Sequence, residues 1–243
     1  MRVAAPELRA EGLEAGYYAG QSVLRGVDLR AAPGRLTVIL GPNGAGKSTA
    51  LRVLAGLLPP AAGRVLVDGR DVTRVPAHRR AELGIAFLPQ GRSVFGALTV
   101  HQNLELGGWT LRRRRPELEL ALEAAYQRYP KLRPLRDRPA GSLSGGQQRL
   151  VEVARMMIAD PRLILIDEPS AGLAPNLTRE VYDELARLRA EGRTVLLVDQ
   201  NVRAAVEIAD YVFTLESGRN QLEGSRERFE PELEALIRAW LRV

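Results

Sequence analysis

Residues 37–58 read TVILGPNGAGKSTALRVLAGLL, and this stretch decides the fold. It begins with an apolar run typical of a buried strand and ends with a segment of helical character. The glycines between them, at positions 41, 44 and 46, let backbone N–H groups turn inward. The N-terminal end of the following helix adds positive charge at the same place. The stretch therefore predicts a strand, an anion-binding loop and a helix, in that order.

The pattern G-x-x-x-x-G-K-[ST] in this context indicates a P-loop, which binds the phosphates of a nucleotide. Lys47 is expected to reach the β- and γ-phosphates, Ser48 to ligate Mg²⁺, and Thr49 to assist through its hydroxyl or backbone. A glycine-rich turn that matches by chance is the alternative. Against it, Lys47 and Lys131 are the only lysines, and a compact ammonium fits a tight cradle better than a wide guanidinium. The predicted nucleotide-binding residues of the loop are Gly41, Pro42, Asn43, Gly44, Ala45, Gly46, Lys47, Ser48 and Thr49.

Three further apolar runs have the same character: IAFL at 85–88, LILI at 163–166 and VLLV at 195–198. They show little alternation, as expected for parallel strands that are covered on both faces. Amphipathic segments with helical spacing lie between strands, at 147–158 and 181–188, and another at 230–243 predicts a terminal helix. The alternation predicts an α/β fold around a central parallel sheet.

Two regions depart from this alternation. The first thirty residues and residues 63–71 look extended and are broken by glycine, which predicts an antiparallel β flank. Residues from about 91 to 139 hold no convincing strand and are rich in Arg, Leu, Glu and Ala, which predicts an inserted α-helical subdomain over about 91–157. Because there is no internal repeat or low-complexity linker, we predict a single domain over 1–243, with its core at 1–90 and 158–243.

The composition is that of a soluble globular protein. Of the 243 residues, 45% are hydrophobic and 26% are charged, which excludes disordered and collagenous chains, and the absence of cysteine excludes disulfides and thiolate chemistry. No apolar run approaches the ~20 residues that cross a bilayer, and the charged N-terminal stretch lacks the apolar core of a signal peptide. The net charge of +6 leaves two interpretations open: attraction to nucleic acid or acidic lipid, or a solvated background.

The run LILIDEPS at 163–170 ends in two carboxylates. Asp167 is expected to hold the Mg²⁺ shell, and Glu168 to polarise a water in line with the γ-phosphate. Both residues fall beyond the carboxyl end of a predicted parallel strand, where open α/β sheets bind their ligands. An exposed acidic turn is the alternative, and the P-loop upstream disfavours it.

Residues 143–147, LSGGQ, begin an amphipathic helix. A serine and two glycines at a helix start offer a hydroxyl, bare N–H groups and the positive helix end, which together make a second anion site. Three interpretations stay open. The segment is a simple N-cap with flexible glycines, a site for a separate anionic ligand, or a clamp on the γ-phosphate held by another subunit. In the last case ATP bridges a head-to-tail dimer.

GPNGAGKST, Gln90, LSGGQ and LILIDEP, in this order, resemble the ATP-binding cassette (ABC) ATPases over essentially the whole chain. The resemblance implies a P-loop NTPase core of RecA-like type with ATP and Mg²⁺ as ligands. It makes Tyr18 the aromatic that stacks on adenine, and Gln90 a contact of Mg²⁺ and of the attacking water. It places residues 170–172 across the dimer. It assigns nucleotide binding in trans to Ser144, Gly145, Gly146 and Gln147.

The chain departs from the ABC pattern at one position. Most members have a histidine after the strand VLLV, and this chain has Gln200. A glutamine amide can hydrogen-bond to a γ-phosphate oxygen but cannot carry a proton or become cationic. The role of base is therefore expected to fall on Glu168, with Gln90 and Gln200 completing the catalytic set. The Mg²⁺ set is Ser48, Gln90 and Asp167.

Finer strings resemble the branched-chain amino-acid importer ATPases of the second of two types: GRSVFGALTVHQNL at 91–104, DEPSAGLAP at 167–175 and LLVDQNVRAAVEIADYVFTLESGR at 196–219. This resemblance implies a peripheral protein on the cytoplasmic face of the cell membrane. Its partners would be a second ABC ATPase subunit, a transmembrane permease whose coupling helices dock on the insert, and indirectly a substrate-binding protein.

Three alternatives to branched-chain import stay open. They are an importer of amides or urea, a soluble ABC-type ATPase that serves nucleic acid or ribosomes, and a dimerisation switch with little turnover. The charge of +6 is the only support for the second, so no nucleic-acid partner is expected.

Overall fold

The computed structural model describes residues 5–18, 20–229, 231 and 240. The strands are β1 Leu8–Ala15, β2 Leu24–Ala31, β3 Leu36–Leu40, β4 Ala62–Val67, β5 Arg70–Asp71, β6 Ile85–Leu88, β7 Leu163–Asp167, β8 Thr194–Val198, β9 Tyr211–Glu216 and β10 Arg219–Ser225. The α-helices are α1 Lys47–Leu54, α2 Ala77–Glu82, α3 Val100–Gly107, α4 Arg115–Arg128, α5 Gly145–Met157, α6 Pro175–Ala190, α7 Val202–Ile208 and α8 Arg226–Phe229. Short 3₁₀ helices cover Trp109–Leu111, Pro130–Leu135 and Ala140–Ser142.

The central sheet has six strands in the order β10-β9-β3-β8-β7-β6. Five of them run parallel, and β10 closes one edge by pairing antiparallel with β9. Every residue of β3, β7 and β8 is buried, because one apolar cluster covers each face of the sheet. The predicted α/β fold is confirmed, and the four apolar runs predicted as strands are β3, β6, β7 and β8.

A second, antiparallel sheet lies beside the first, with strand order β2-β1-β4-β5. Residues along β1 and β2 largely alternate between buried and exposed, as expected for strands with one solvated face. The buried side joins the cluster that also contains Leu51 and Leu54 of α1. The predicted antiparallel β flank is thus confirmed, and it supports the helix that follows the glycine-rich loop.

Helices fill the stretch between β6 and β7. The structure describes all of residues 89–162 and contains no strand there, only helices and an isolated bridge between Thr99 and Pro139. Leu104 of α3 and Leu118 of α4 share a core with Ile164 of the central sheet. The exact bounds of the inserted subdomain, about 91–157, stay a prediction.

Two further findings concern the chain as a whole. The predicted terminal helix at 230–243 lies outside the described residues, except for positions 231 and 240. Among the helices that the structure describes, none is long and apolar enough to cross a membrane.

A buried guanidinium connects helix α1 to the turn that follows the antiparallel sheet. Arg80 of α2 is 1% exposed, and burial lowers its pKa to about 10. It donates five hydrogen bonds of 2.6–3.0 Å to main-chain carbonyls, those of Val53, Leu54, Val72, Thr73 and Val75. Two of these carbonyls belong to the C-terminal end of α1, where a cation also stabilises the helix dipole. Arg80 therefore fixes α1 against the turn that follows the antiparallel sheet.

Replacing Arg80 with Met is expected to lower the free energy of unfolding by about 3 kcal/mol. The substitution keeps much of the apolar stem but leaves buried carbonyl oxygens without a donor. Urea denaturation of the purified protein measures the change. The control is Arg79→Met, since Arg79 is exposed and its ion pair with Glu82 lies at the surface. Equal stability of the two variants would contradict this role of Arg80.

Candidate functional site

The loop between β3 and α1 is a cradle that only glycine can form. Gly41, Gly44 and Gly46 have φ values of +149°, +79° and +102°, which side-chain-bearing residues rarely adopt. A Cβ at Gly41 would lie 2.1 Å from the carbonyl oxygen of Leu215, and one at Gly46 would lie 2.8 Å from Leu24. The loop therefore has the positive-φ backbone that an anion site requires, at the N-terminal end of α1.

Lys47 lies over this loop. The side chain is buried, and its Nζ donates to the carbonyl oxygens of Gly41 at 2.8 Å and Pro42 at 2.9 Å. Burial lowers the pKa of Lys47, and the nearby carboxylates of Glu168 and Asp167 oppose that shift. The loop carbonyls thus hold a cation at the cradle. When a phosphate binds, the Lys47 ammonium would donate to the phosphate oxygens instead of to these carbonyls.

Ser48 and Asp167 provide hard oxygen atoms beside the cradle. The Ser48 hydroxyl donates to Asp167 Oδ1 at 3.0 Å, and Asp167 ends β7 with 1% of its surface exposed. Burial raises the pKa of Asp167, against the hydrogen bond from Ser48. Within the described ranges no cluster of three or more His, Cys, Asp or Glu could hold a metal alone. One carboxylate and one hydroxyl suit Mg²⁺, which completes its shell with water and phosphate.

The side chain of Glu168 is held by two amides. Gln90 Nε2 donates to Glu168 Oε2 at 2.6 Å, and Gln200 Nε2 donates to Oε1 at 2.9 Å and to Oε2 at 3.0 Å. The backbone of Glu168 has φ +45°, and its N–H donates to the carbonyl of Val198 at 2.7 Å. The structure thus brings together all three residues of the predicted catalytic set. The predicted contacts of Gln90 with Mg²⁺ and of Gln200 with a γ-phosphate stay predictions.

The LSGGQ segment caps α5. Ser144 and Gln147 form a reciprocal capping box: the Gln147 N–H donates to Ser144 Oγ at 3.4 Å, and the Ser144 N–H donates to Gln147 Oε1 at 3.0 Å. A Cβ at Gly146 would lie 2.4 Å from the side chain of Leu177 of α6, so a larger residue there would displace that leucine. Among the residues that the structure describes, no hydrogen bond joins 144–147 to the cradle at 41–49. The structure is therefore compatible with each interpretation of the segment, whether as a cap, as a clamp or as a separate anion site.

Two tyrosines precede the cradle in the chain. Tyr18, predicted to stack on adenine, is 76% exposed, and its assignment stays a prediction. Tyr17 contacts the cradle helix directly: its hydroxyl lies 3.4 Å from Thr49 Oγ1 and accepts a 2.8 Å hydrogen bond from Arg52. Sequence reasoning missed Tyr17, because neighbouring aromatics carry no signal of which one faces the loop. Ser170, predicted to lie across a dimer, donates to Asp199 Oδ1 at 2.9 Å within the chain.

Sequence reasoning also missed two buried charges on α5. Arg149 and Glu152 are 6% and 2% exposed and form an ion pair at 2.7 Å. The sequence carries no signal of this burial, because both residues lie outside the apolar stripe of the helix, where charged side chains are expected to be solvated.

Comparison with known proteins places the whole arrangement among ATP-binding cassettes. A family profile described as ABC transporter matches residues 24–171. The probable branched-chain amino acid transport ATP-binding protein LivF of Archaeoglobus fulgidus is 37% identical over 219 residues, which cover 90% of this chain and 92% of that protein. The lipopolysaccharide export system ATP-binding protein LptB of Acidithiobacillus ferridurans is 38% identical over 217 residues, with 86% of both proteins covered. A crystal structure of an ATP-binding cassette of an ABC transporter in its ADP conformation has a TM-score of 0.85 and 29% identity, covering 97% of this chain and 98% of that chain.

Proposed function

The chain belongs to the ABC transporter family and is one of its ATP-hydrolysing subunits, and from this premise we propose that it energises the uptake of branched-chain amino acids through a membrane permease. The main support for the catalytic role is that two amides, those of Gln90 and Gln200, hold the carboxylate of Glu168. This carboxylate lies near Lys47, as that of Asp167 does. The cargo is supported by the likeness to the LivF protein over nearly the whole chain.

Each part of the proposed ATP site has one task. The N–H groups of the loop and the Lys47 ammonium hold the phosphates, and Tyr18 stacks on the adenine. Mg²⁺, when bound beside Ser48 and Asp167, neutralises charge on the β- and γ-phosphates. Glu168 accepts a hydrogen bond from the attacking water and orients it, while Gln90 and Gln200 fix the carboxylate. Catalysis then rests on positioning and on charge stabilisation of a loose phosphoryl transition state.

A complete site requires a second ABC ATPase subunit in this proposal. Residues 144–147 lie at the positive end of α5 and make no hydrogen bond to their own chain's cradle within the part that the structure describes. They would clamp the γ-phosphate held by the partner, with residues 170–172 at the same interface. Each chain carries both halves of the site, so a symmetric homodimer is allowed, as is a pair with a sister ATPase.

A groove between the insert and the core is proposed to receive the permease. It encloses about 930 Å³, and its lining includes Leu57, Phe95 and Trp109, which are 56%, 53% and 62% exposed. Exposed apolar side chains grouped in one groove mark an interaction surface. A cytoplasmic helix of the permease would bury them, and in this proposal the subunit lies peripherally on the cytoplasmic face of the membrane.

Replacing Trp109 with Asp is expected to reduce the amount of permease that co-purifies with this subunit from membranes by at least about tenfold. The substitution removes a large apolar contact and buries a charge in the interface. Leu120→Asp is the matched control, because Leu120 is also on the insert and 73% exposed but does not line the groove. Quantitative mass spectrometry of the pulled-down complex measures the effect. Equal recovery with both variants would contradict the docking site.

The cargo is tested with the co-purified complex in liposomes. We expect uptake of labelled leucine, dependent on ATP and on a cognate binding protein. Lipopolysaccharide export is the second candidate, because LptB is similar to this chain at 38% identity. Recovery of a lipopolysaccharide-extracting permease, or uptake of urea or amides without leucine uptake, would overturn the branched-chain assignment.

A further inference from the structure

Helix α5 carries an ion pair in its buried face. Arg149 Nη1 and Glu152 Oε2 are 2.7 Å apart, and the two side chains are 7% and 2% exposed. The desolvation of two charges offsets much of their attraction, so a buried pair of this kind contributes little net stability. The remaining contacts of both side chains indicate what the pair does.

Arg149 holds the backbone on which the catalytic carboxylate is mounted. Its Nε donates to the carbonyl of Pro169 at 2.9 Å, and its Nη2 to the carbonyl of Glu168 at 3.3 Å. Glu168 itself has φ +45°, a conformation that non-glycine residues adopt only when their surroundings enforce it. The guanidinium therefore fixes the peptide units that set the direction of the Glu168 side chain.

Glu152 extends the contact to the chain segment that follows Gln90. Its Oε1 accepts hydrogen bonds from the backbone N–H groups of Ser93 and Val94, the latter at 3.2 Å. These residues lie shortly after Gln90 and just before Phe95, which lines the apolar groove between insert and core. Glu152 lines that groove and also a cavity of about 250 Å³ shared with Arg149 and Glu168.

We propose that Arg149 and Glu152 are positioning residues for ATP hydrolysis, which connect the segment 93–95 at the groove to the backbone of Glu168. The proposal rests on the proposed function and deepens it. A displacement of residues 93–95 pulls on Glu152, and Glu152 orients the guanidinium that holds the Glu168 and Pro169 carbonyls. Through this chain of contacts, a permease helix in the groove can influence the position of the catalytic carboxylate.

Glu152→Gln tests the proposal with almost no change in volume. The carboxylate accepts from both sides, whereas an amide has one accepting and one donating end. Whichever way the amide turns, a donor faces either Arg149 or the N–H groups of Ser93 and Val94. We expect kcat for ATP to fall about 10–100-fold, the range for a misplaced reacting group. We expect KM for ATP to stay within about threefold, because the Lys47 cradle makes no contact with this pair.

Glu184→Gln is the matched control. Glu184 is also largely buried, accepts from Arg128 at 2.8 Å and from the Tyr129 hydroxyl at 2.6 Å, and touches no part of the catalytic segment. Its variant is expected to lower the melting temperature while keeping kcat within about twofold of the wild type. Arg149→Lys is the milder variant: it keeps the positive charge but not the fork of donors, and it is expected to retain more of kcat than Arg149→Met.

Steady-state ATPase kinetics and thermal melting of the full chain give the readouts. A fall in kcat for Glu152→Gln without a matching change for Glu184→Gln, at similar loss of melting temperature, supports the proposal. Equal effects of the two variants, or a parallel rise in KM, would show a purely structural role and overturn it. If Glu152→Gln does not fold, equal kcat values for Arg149→Lys and Arg149→Met would overturn it instead. Absence of ATPase activity in the wild type would overturn the proposed function together with this inference.

Discussion

Replacing Glu168 with Gln is expected to slow ATP hydrolysis by about 10²–10⁴-fold while ATP stays bound, because the variant loses the group that orients and deprotonates water. The substitution is nearly isosteric, and its surroundings can adapt to it. Gln90 and Gln200 now donate to the carboxylate at 2.6–3.0 Å, and either amide can rotate to present its oxygen to a new amide at position 168. The effect should therefore appear in kcat rather than in the affinity for ATP.

Steady-state ATPase assays and ATP titration by calorimetry measure the two quantities separately. Glu180→Gln is the control, because Glu180 is exposed and pairs with Lys131 at the surface. We also expect the Glu168 variant to accumulate as an ATP-bound dimer, which size-exclusion chromatography detects. Turnover near the wild-type value would exclude Glu168 as the base and would move that role to another group.

The second large effect is expected from Lys47→Ala, which should weaken ATP binding by about 10³-fold. The ammonium is buried at the cradle and already bonded to two loop carbonyls, so it is oriented before the nucleotide arrives. Removing it leaves the β- and γ-phosphates without their fixed positive charge in a site shielded from water, where charge interactions are strong.

The chain contains its own control for this substitution. Lys131 is the other lysine, 69% exposed in its side chain and paired with Glu180 at 2.9 Å. Lys131→Ala removes the same charge from the protein and is expected to bind ATP as the wild type does, measured by calorimetry at equal ionic strength. An unchanged affinity of the Lys47 variant would show that the loop N–H groups alone hold the phosphates.

Much of this site was predictable because its parts are local in sequence. The strand, glycines, lysine and serine of 37–49 form one continuous motif, and the glycines mark the positions where its backbone takes positive φ values. Asp167 ends a strand whose other residues are all apolar, and Glu168 follows it, so their place at the carboxyl end of the sheet was also predictable. The four-run pattern of buried strands and the antiparallel flank were confirmed for the same reason, since periodicity and glycine positions are local signals.

What the sequence by itself determined is therefore the chemistry at the carboxyl ends of two strands: a glycine-rich loop with its lysine after β3, at 41–49, and two carboxylates at the end of β7, at 167–168. Only the tertiary structure decided how these ends are connected. Gln90 and Gln200, which are 78 and 32 residues from Glu168, reach the same carboxylate because β6, β7 and β8 are neighbours in the sheet. Arg149, on α5, donates to the main-chain carbonyl of the same residue, Glu168. Such contacts leave no local signal, because side chains distant in sequence meet only once the sheet order and the helix packing are set.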